Sequence, residues 1–111
     1  MAKHEFGIIE NTPTDKDVFD TYEPDKYNCI EIDDDFIEPI LLELQSIDCY
    51  YNNIGNNSNG LAYCGITLIP PSSIDTFIEV LLRKHMIEYD LLIDLLKKAK
   101  KNNKYVIHFG I

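Results

Sequence analysis

The segment Gly60 to Leu82, GLAYCGITLIPPSSIDTFIEVLL, constrains the fold most, because it encodes a strand, a forced stop and a helix in succession. Ala62, Cys64, Ile66 and Leu68 fall on one face of an extended chain, and Leu61, Tyr63, Gly65, Thr67 and Ile69 on the other. Both faces are largely apolar, which predicts a central strand. Pro70 and Pro71 have no backbone donors and must end it. Ser72 or Ser73 is then expected to cap a helix, with Asp75 placed to favour its positive end. Ile74, Phe77, Ile78, Leu81 and Leu82 recur at helical spacing and form its apolar stripe.

The flanking sequence supplies elements that can pack on this unit. Phe6 to Ile9 predicts a short first strand, with His4 and Glu5 marking it as an edge. ENTPTDKDVFDTYEPDKY has no clean periodicity and reads as a long surface excursion, with a helical turn around Asp17 to Tyr22 and Val18, Phe19 and Tyr22 as anchors. NCIEI predicts a second strand with Ile30 and Ile32 inward and Glu31 outward. Asp33, Asp34 and Asp35 suit a helix start, and Ile37, Ile40, Leu41, Leu44 and Ile47 continue a stripe of about three turns, with Pro39 tolerated in the first.

Cys49 to Tyr51 predicts a third strand, joined to the central one by the loose tip NNIGNNSNG. Arg83, Lys84 and His85 mark a helix end. Tyr89, Leu92, Leu95 or Leu96, and Ala99 define a further helix ending in KKAKKNNK, where Asn102 or Asn103 can turn left-handed. The closing YVIHFGI is too apolar to stand free and is expected as an internal strand beside the central one. The sum is one acidic domain over residues 1–111. Its predicted class is α+β, a two-layer sandwich of a mainly antiparallel sheet of about five strands with three helices, in the order ββαββααβ.

Charge narrows the partners. Net charge is −9, and residues 1–50 hold −11 of it against +2 for residues 51–111. Such a field repels nucleic acid and anionic membrane and favours a basic protein, although solubility alone also explains an acidic chain. The start MAKHEFGIIE has no signal-peptide apolar region and no run reaches membrane-spanning length, so a cytoplasmic location is expected. Three cysteines, Cys29, Cys49 and Cys64, lack CxxC spacing and are expected as reduced core thiols.

YEPDKYNCI, AYCGITLIPPSS and the closing VIHFGI together resemble a family of small cytoplasmic proteins of low-GC Gram-positive bacteria, over most of the chain. The resemblance implies no activity, cofactor or catalytic residue. Richness in asparagine and lysine is similar to that of proteins from AT-rich genomes.

Chemical signals are sparse. Asp33, Asp34 and Asp35 with His4, His85 or His108 could supply metal ligands, but consecutive aspartates splay apart and no DxDxDG loop is present, so helix capping is the simpler role and no cofactor is expected. Cys64 and His108 are the one pair that could serve as nucleophile and base. The PPSS corner offers few amides to a phosphate. The expectation is therefore a protein-binding module rather than an enzyme, immunity-like or inhibitor-like, meeting a basic partner. Asp15, Asp17, Asp20, Glu23, Asp25, Asp33, Asp34 and Asp35 would steer the encounter, and Phe19, Tyr22 and Tyr27 would anchor it. Alternatives are a small Cys64/His108 enzyme and a homo-oligomer paired through its first or last strand.

Overall fold

The computed structural model describes residues 2–111 and contains a six-stranded antiparallel open sheet with helices on one face. The strands are β1 (Lys3–Ile9), β2 (Ile30–Asp33), β3 (Asp48–Tyr51), β4 (Asn57–Asn59), β5 (Ile66–Ile69) and β6 (Tyr105–Phe109), in the spatial order β2-β1-β6-β5-β3-β4. The helices are α1 (Asp34–Ile37), α2 (Leu41–Leu44), α3 (Pro71–Leu82) and α4 (Asp90–Lys101). A 3-10 turn, Glu38–Ile40, joins α1 to α2 into one broken helical segment. Counting that segment once, the class is the expected α+β with three helices, and the sheet has one strand more.

The extra strand is β4, inside the stretch expected to be a loose tip. Asn57, Ser58 and Asn59 pair with Tyr50, Cys49 and Asp48 at the sheet's edge, where a polar strand discourages further pairing. The expected strand from Leu61 shortens to Ile66–Ile69 for a topological reason. Because β3 lies between β4 and β5, the chain must cross the end of the sheet before β5 begins. Gly60, at φ +72°, starts that crossing, and the amide of Ala62 bonds the Thr67 hydroxyl at 2.8 Å instead of a neighbouring strand. Cys64 therefore sits exposed in the crossing, not in the core.

β1 is not an edge. It lies between β2 and β6, with Glu5 opposite Phe109 and Ile9 opposite Tyr105, and His4 and Glu5 are buried. The closing strand β6 is internal as expected, flanked by β1 and β5. With both in the interior of the sheet, neither the first nor the last strand offers an edge for pairing with another copy.

Alternation along the strands separates two cores. Phe6, Ile32, Cys49, Ile69 and Val106 face the helices, where they meet Ile37, Ile40, Leu44, Ile74, Phe77, Leu81, Leu92, Leu96 and Ala99. Each fully buried side chain of this size stabilises by about 1.5–3 kcal/mol. On the opposite face Ile9, Leu68, Ile107 and Phe109 form a smaller core covered by Phe19, Tyr27 and Cys29 of the segment between β1 and β2. That segment, residues 10–29, is a strap across the helix-free face.

Local starts and stops differ in detail from expectation. Asp33 caps α1 by accepting the Asp35 amide at 2.8 Å. Pro39 lies past the first turn, so its missing donor breaks the ladder and splits the helical segment. In α3, Pro70 takes the N-cap position and Pro71 the first helical one; Ser73 is buried and donates to the Asp48 carbonyl at 2.6 Å instead of capping. Val80 joins the buried stripe of α3 while Leu82 is exposed. The helical turn of the strap is Pro24–Tyr27, beyond the expected position. Asn103, at φ +55°, ends α4 as expected.

The strap lies close on β1 because residue 7 is glycine. A Cβ there would stand 2.7 Å from both Cβ and the carbonyl oxygen of Tyr27 and 2.8 Å from the Cys29 sulfur. Gly7→Ala is expected to cost about 1–3 kcal/mol through strap displacement, measured as a fall in the urea midpoint together with new proteolytic cleavage between residues 10 and 29.

Candidate functional site

Three places bring polar or reactive groups together: a buried chain on the helix side of the sheet, the turn that carries Cys64, and the strap. The buried chain begins with strand parity. His4 shares the face of Phe6, and His108 the face of Val106, so both imidazoles point into the helical core and are fully buried. They stack at 5.1 Å between centroids, with His4 Nδ1 2.9 Å from His108 Nε2. His4 Nε2 lies 2.8 Å from Asp34 Oδ1, Tyr63 donates its hydroxyl to Asp34 Oδ2 at 2.6 Å, and His108 Nδ1 is 3.5 Å from the Thr67 hydroxyl.

With both rings neutral the donors run one way: Thr67 to His108, His108 to His4, and His4 to the carboxylate. Burial, then the neighbouring His4, pushes the His108 pKa down to about 3. The hydrogen bonds from Tyr63 and then His4 hold Asp34 below the usual carboxylate range, and the same carboxylate raises the Tyr63 phenol to about 12. This chain ties β1, β6, α1 and the Leu61–Gly65 crossing to one another.

Every buried side-chain donor or acceptor among the described residues has a partner, so the polar groups of the chain are met within the fold. The expected aspartate triplet is divided by it. Asp33 caps, Asp34 turns inward and Asp35 is exposed, and no group of three or more His, Cys, Asp or Glu side chains among the described residues is arranged to hold a metal.

The structure does not assemble Cys64 and His108 as nucleophile and base. Both ring nitrogens of His108 are engaged on the helix side, whereas Cys64 lines a shallow pocket of about 370 Å³ with Tyr22, Ile66 and Phe109, residues of the strap side. Thr67, not Cys64, stands opposite His108 in the sheet. Cys29 and Cys49 are withdrawn by burial, which pushes both thiols up to about 12.

The strap gathers most of the other expected residues. Asp15, Asp17, Asp20, Glu23 and Asp25 are all exposed. Phe19 and Tyr27 are half-buried in the second core, while Val18 and Tyr22 remain 64% and 58% exposed. Tyr22 is nevertheless held, its ring edge-on to Phe109 at 5.3 Å and its hydroxyl donating to buried Glu5. Val18 anchors nothing. Asp17 closes its own turn by accepting the Thr14 amide at 2.9 Å, and Asn53 donates to the carbonyls of Asp15 and Asp17 at 2.8 and 2.9 Å. The Phe19 amide bonds the Asn52 carbonyl at 2.7 Å.

Between strap and sheet lies an open pocket of about 510 Å³, walled by Ile9, Phe19 and Tyr27 and rimmed by Asp17, Asp20 and Glu23. Two lysines also line it. Lys26 is 3.6 Å from Glu23 and sits 5.5 Å from the centre of the Tyr27 ring, while Lys16 has no ion pair among the described residues. Asp33, Asp34 and Asp35 stand apart from this surface, at the N-terminus of α1 on the helix side.

No family model matches the chain, and no curated protein or solved structure matches it either. Among the described residues no helix is long and apolar enough to cross a membrane.

The buried chain carries a pH dependence. His108 is neutral when folded and takes up a proton near pH 6.5 when unfolded, so its contribution is complete above pH 6.5 and declines as pH falls toward 3. Asp34 acts in the same direction at lower pH, as the depressed carboxyl is protonated. Between about pH 6.5 and pH 4.5 the wild type is expected to lose about 2–3 kcal/mol through His108. His108→Gln, which can still donate and accept, should flatten that slope in urea titrations while lowering stability at neutral pH.

Proposed function

We propose that this chain is a small protein-binding module that engages a basic partner through its strap, in the manner of an immunity protein or an inhibitor covering a basic site. One observation carries this reading: residues 10–29 hold exposed Val18 and Tyr22 among six exposed carboxylates, on a backbone pinned to the sheet by Phe19, Tyr27 and Asn53. Pinning lowers the ordering cost of binding, and the carboxylates accelerate encounter with a positive surface. Asp15, Asp20 and Asp25 have no cationic partner within 4 Å among the described residues, so their field is not neutralised locally. Tyr22 supplies a rigid aromatic contact beside Val18.

Carbodiimide coupling in extracts of the native host tests this, because the reagent joins carboxylates to lysines only in contact. Crosslinks from Asp15, Asp20 or Asp25 to lysines of one protein are expected at low salt and should vanish by about 0.5 M salt. The triple variant Asp15→Asn, Asp20→Asn, Asp25→Asn should slow association with that protein about tenfold and leave the thermal midpoint unchanged. Capture that ignores ionic strength, or an unaltered association rate in the triple variant, would remove the proposal.

A further inference from the structure

Four of the eight large apolar side chains exposed by the described residues lie around the turn between α3 and α4, away from the strap: Leu82, Met86, Ile87 and Leu91. Ile87 and Leu91, four residues apart, share one face of the helix start and are 77% and 67% exposed. The turn has a defined shape, fixed by His85 at φ +53° and by the His85 amide bonding the Leu82 carbonyl at 3.2 Å. Glu43 of α2 reaches the turn, pairing with Lys84 and lying 3.8 Å from Arg83.

The charges flanking this apolar centre are antisymmetric along the chain. Arg83 and Lys84 precede it and share the single Glu43, leaving one positive charge in excess; Glu88 and Asp90 follow it and have no cationic partner among the described residues. An isologous contact matches a surface to its own copy turned by a half-rotation. A two-fold axis through Met86 and Ile87 would therefore set the basic arm of one copy against the acidic arm of the other, with the apolar side chains between them.

We propose that the α3–α4 turn is a self-association surface whose occupant is a second copy of this chain. The patch is small, so the dimer is weak, with a dissociation constant on the order of 100 µM. Because the helices and the strap lie on opposite faces of the sheet, each copy keeps its acidic strap outward. The dimer does not depend on the protein-binding role of the strap.

Sedimentation velocity from about 10 µM to about 1 mM reads the outcome directly. The wild type is expected to pass from a mass of 12.8 kDa toward twice that value, and Ile87→Asp with Leu91→Asp to remain a monomer throughout. Two charge variants test the two-fold geometry: Arg83→Glu with Lys84→Glu, and Glu88→Lys with Asp90→Lys. Each alone should be monomeric, and an equimolar mixture should associate. The strap triple variant should dimerise as the wild type does. A wild type that stays monomeric, a double aspartate variant that dimerises normally, or a charge-variant mixture that fails to associate would overturn the proposal.

Discussion

The pairing of β1 with β6 is the contact on which the other arrangements rest. It joins residues about a hundred positions apart, Glu5 to Phe109 and Ile9 to Tyr105, in the interior of the sheet. Closing so long a loop is entropically unfavourable, and the return comes from two faces at once. On the helix side the register puts Phe6 against Phe77 and sets His4 beside His108. On the strap side it sets Ile9, Ile107 and Phe109 into one apolar surface. A shift of one residue would exchange the two faces and leave both imidazoles without partners.

That register explains why a polar chain can sit inside a small core without loss. Two buried imidazoles cost stability unless every donor and acceptor is met, and here a carboxylate, a phenol and a hydroxyl complete the set. Asp34 and Tyr63 are the members that reach the surface, and the place of Asp34 at the start of α1 follows from Asp33 acting as the cap. The acidic triplet is thus partly internal structure, which sets its surroundings apart from those of the strap carboxylates.

Much of the fold was legible because it rests on short-range signals. The two prolines ending β5, the isoleucine face of β2, the lysine-rich end of α4 and the interior position of the closing strand all follow from local chemistry. What escaped was set by position in the sheet. Asn57–Asn59 has no strand-like composition and pairs only because β3 presents it an edge. Leu61 to Gly65 alternates like a strand, yet topology makes it a crossing. The imidazole pair did leave a signal: His4 shares parity with Phe6 and Ile8, and His108 with Val106, which assigns both to the core once β1 is known to be internal. Treating His4 and Glu5 as edge markers hid it. The strap's exposed carboxylates were legible from composition, whereas Tyr27, expected to anchor a partner, instead packs half-buried into the second core, and Val18, expected to anchor the strap, is exposed.

The antiparallel pairing of β1 and β6 also fixes how the molecule yields to pulling. Lys3 and Phe109 lie at the same end of neighbouring strands, so tension applied through them runs parallel to the ladder's hydrogen bonds and loads them singly, starting at the pair Glu5 and Phe109. The centre of the sheet would peel open like a zip rather than shear as a block. Tension drawn between those two strand ends therefore meets the weakest mechanical direction of the pairing first, even though the seam lies inside the sheet.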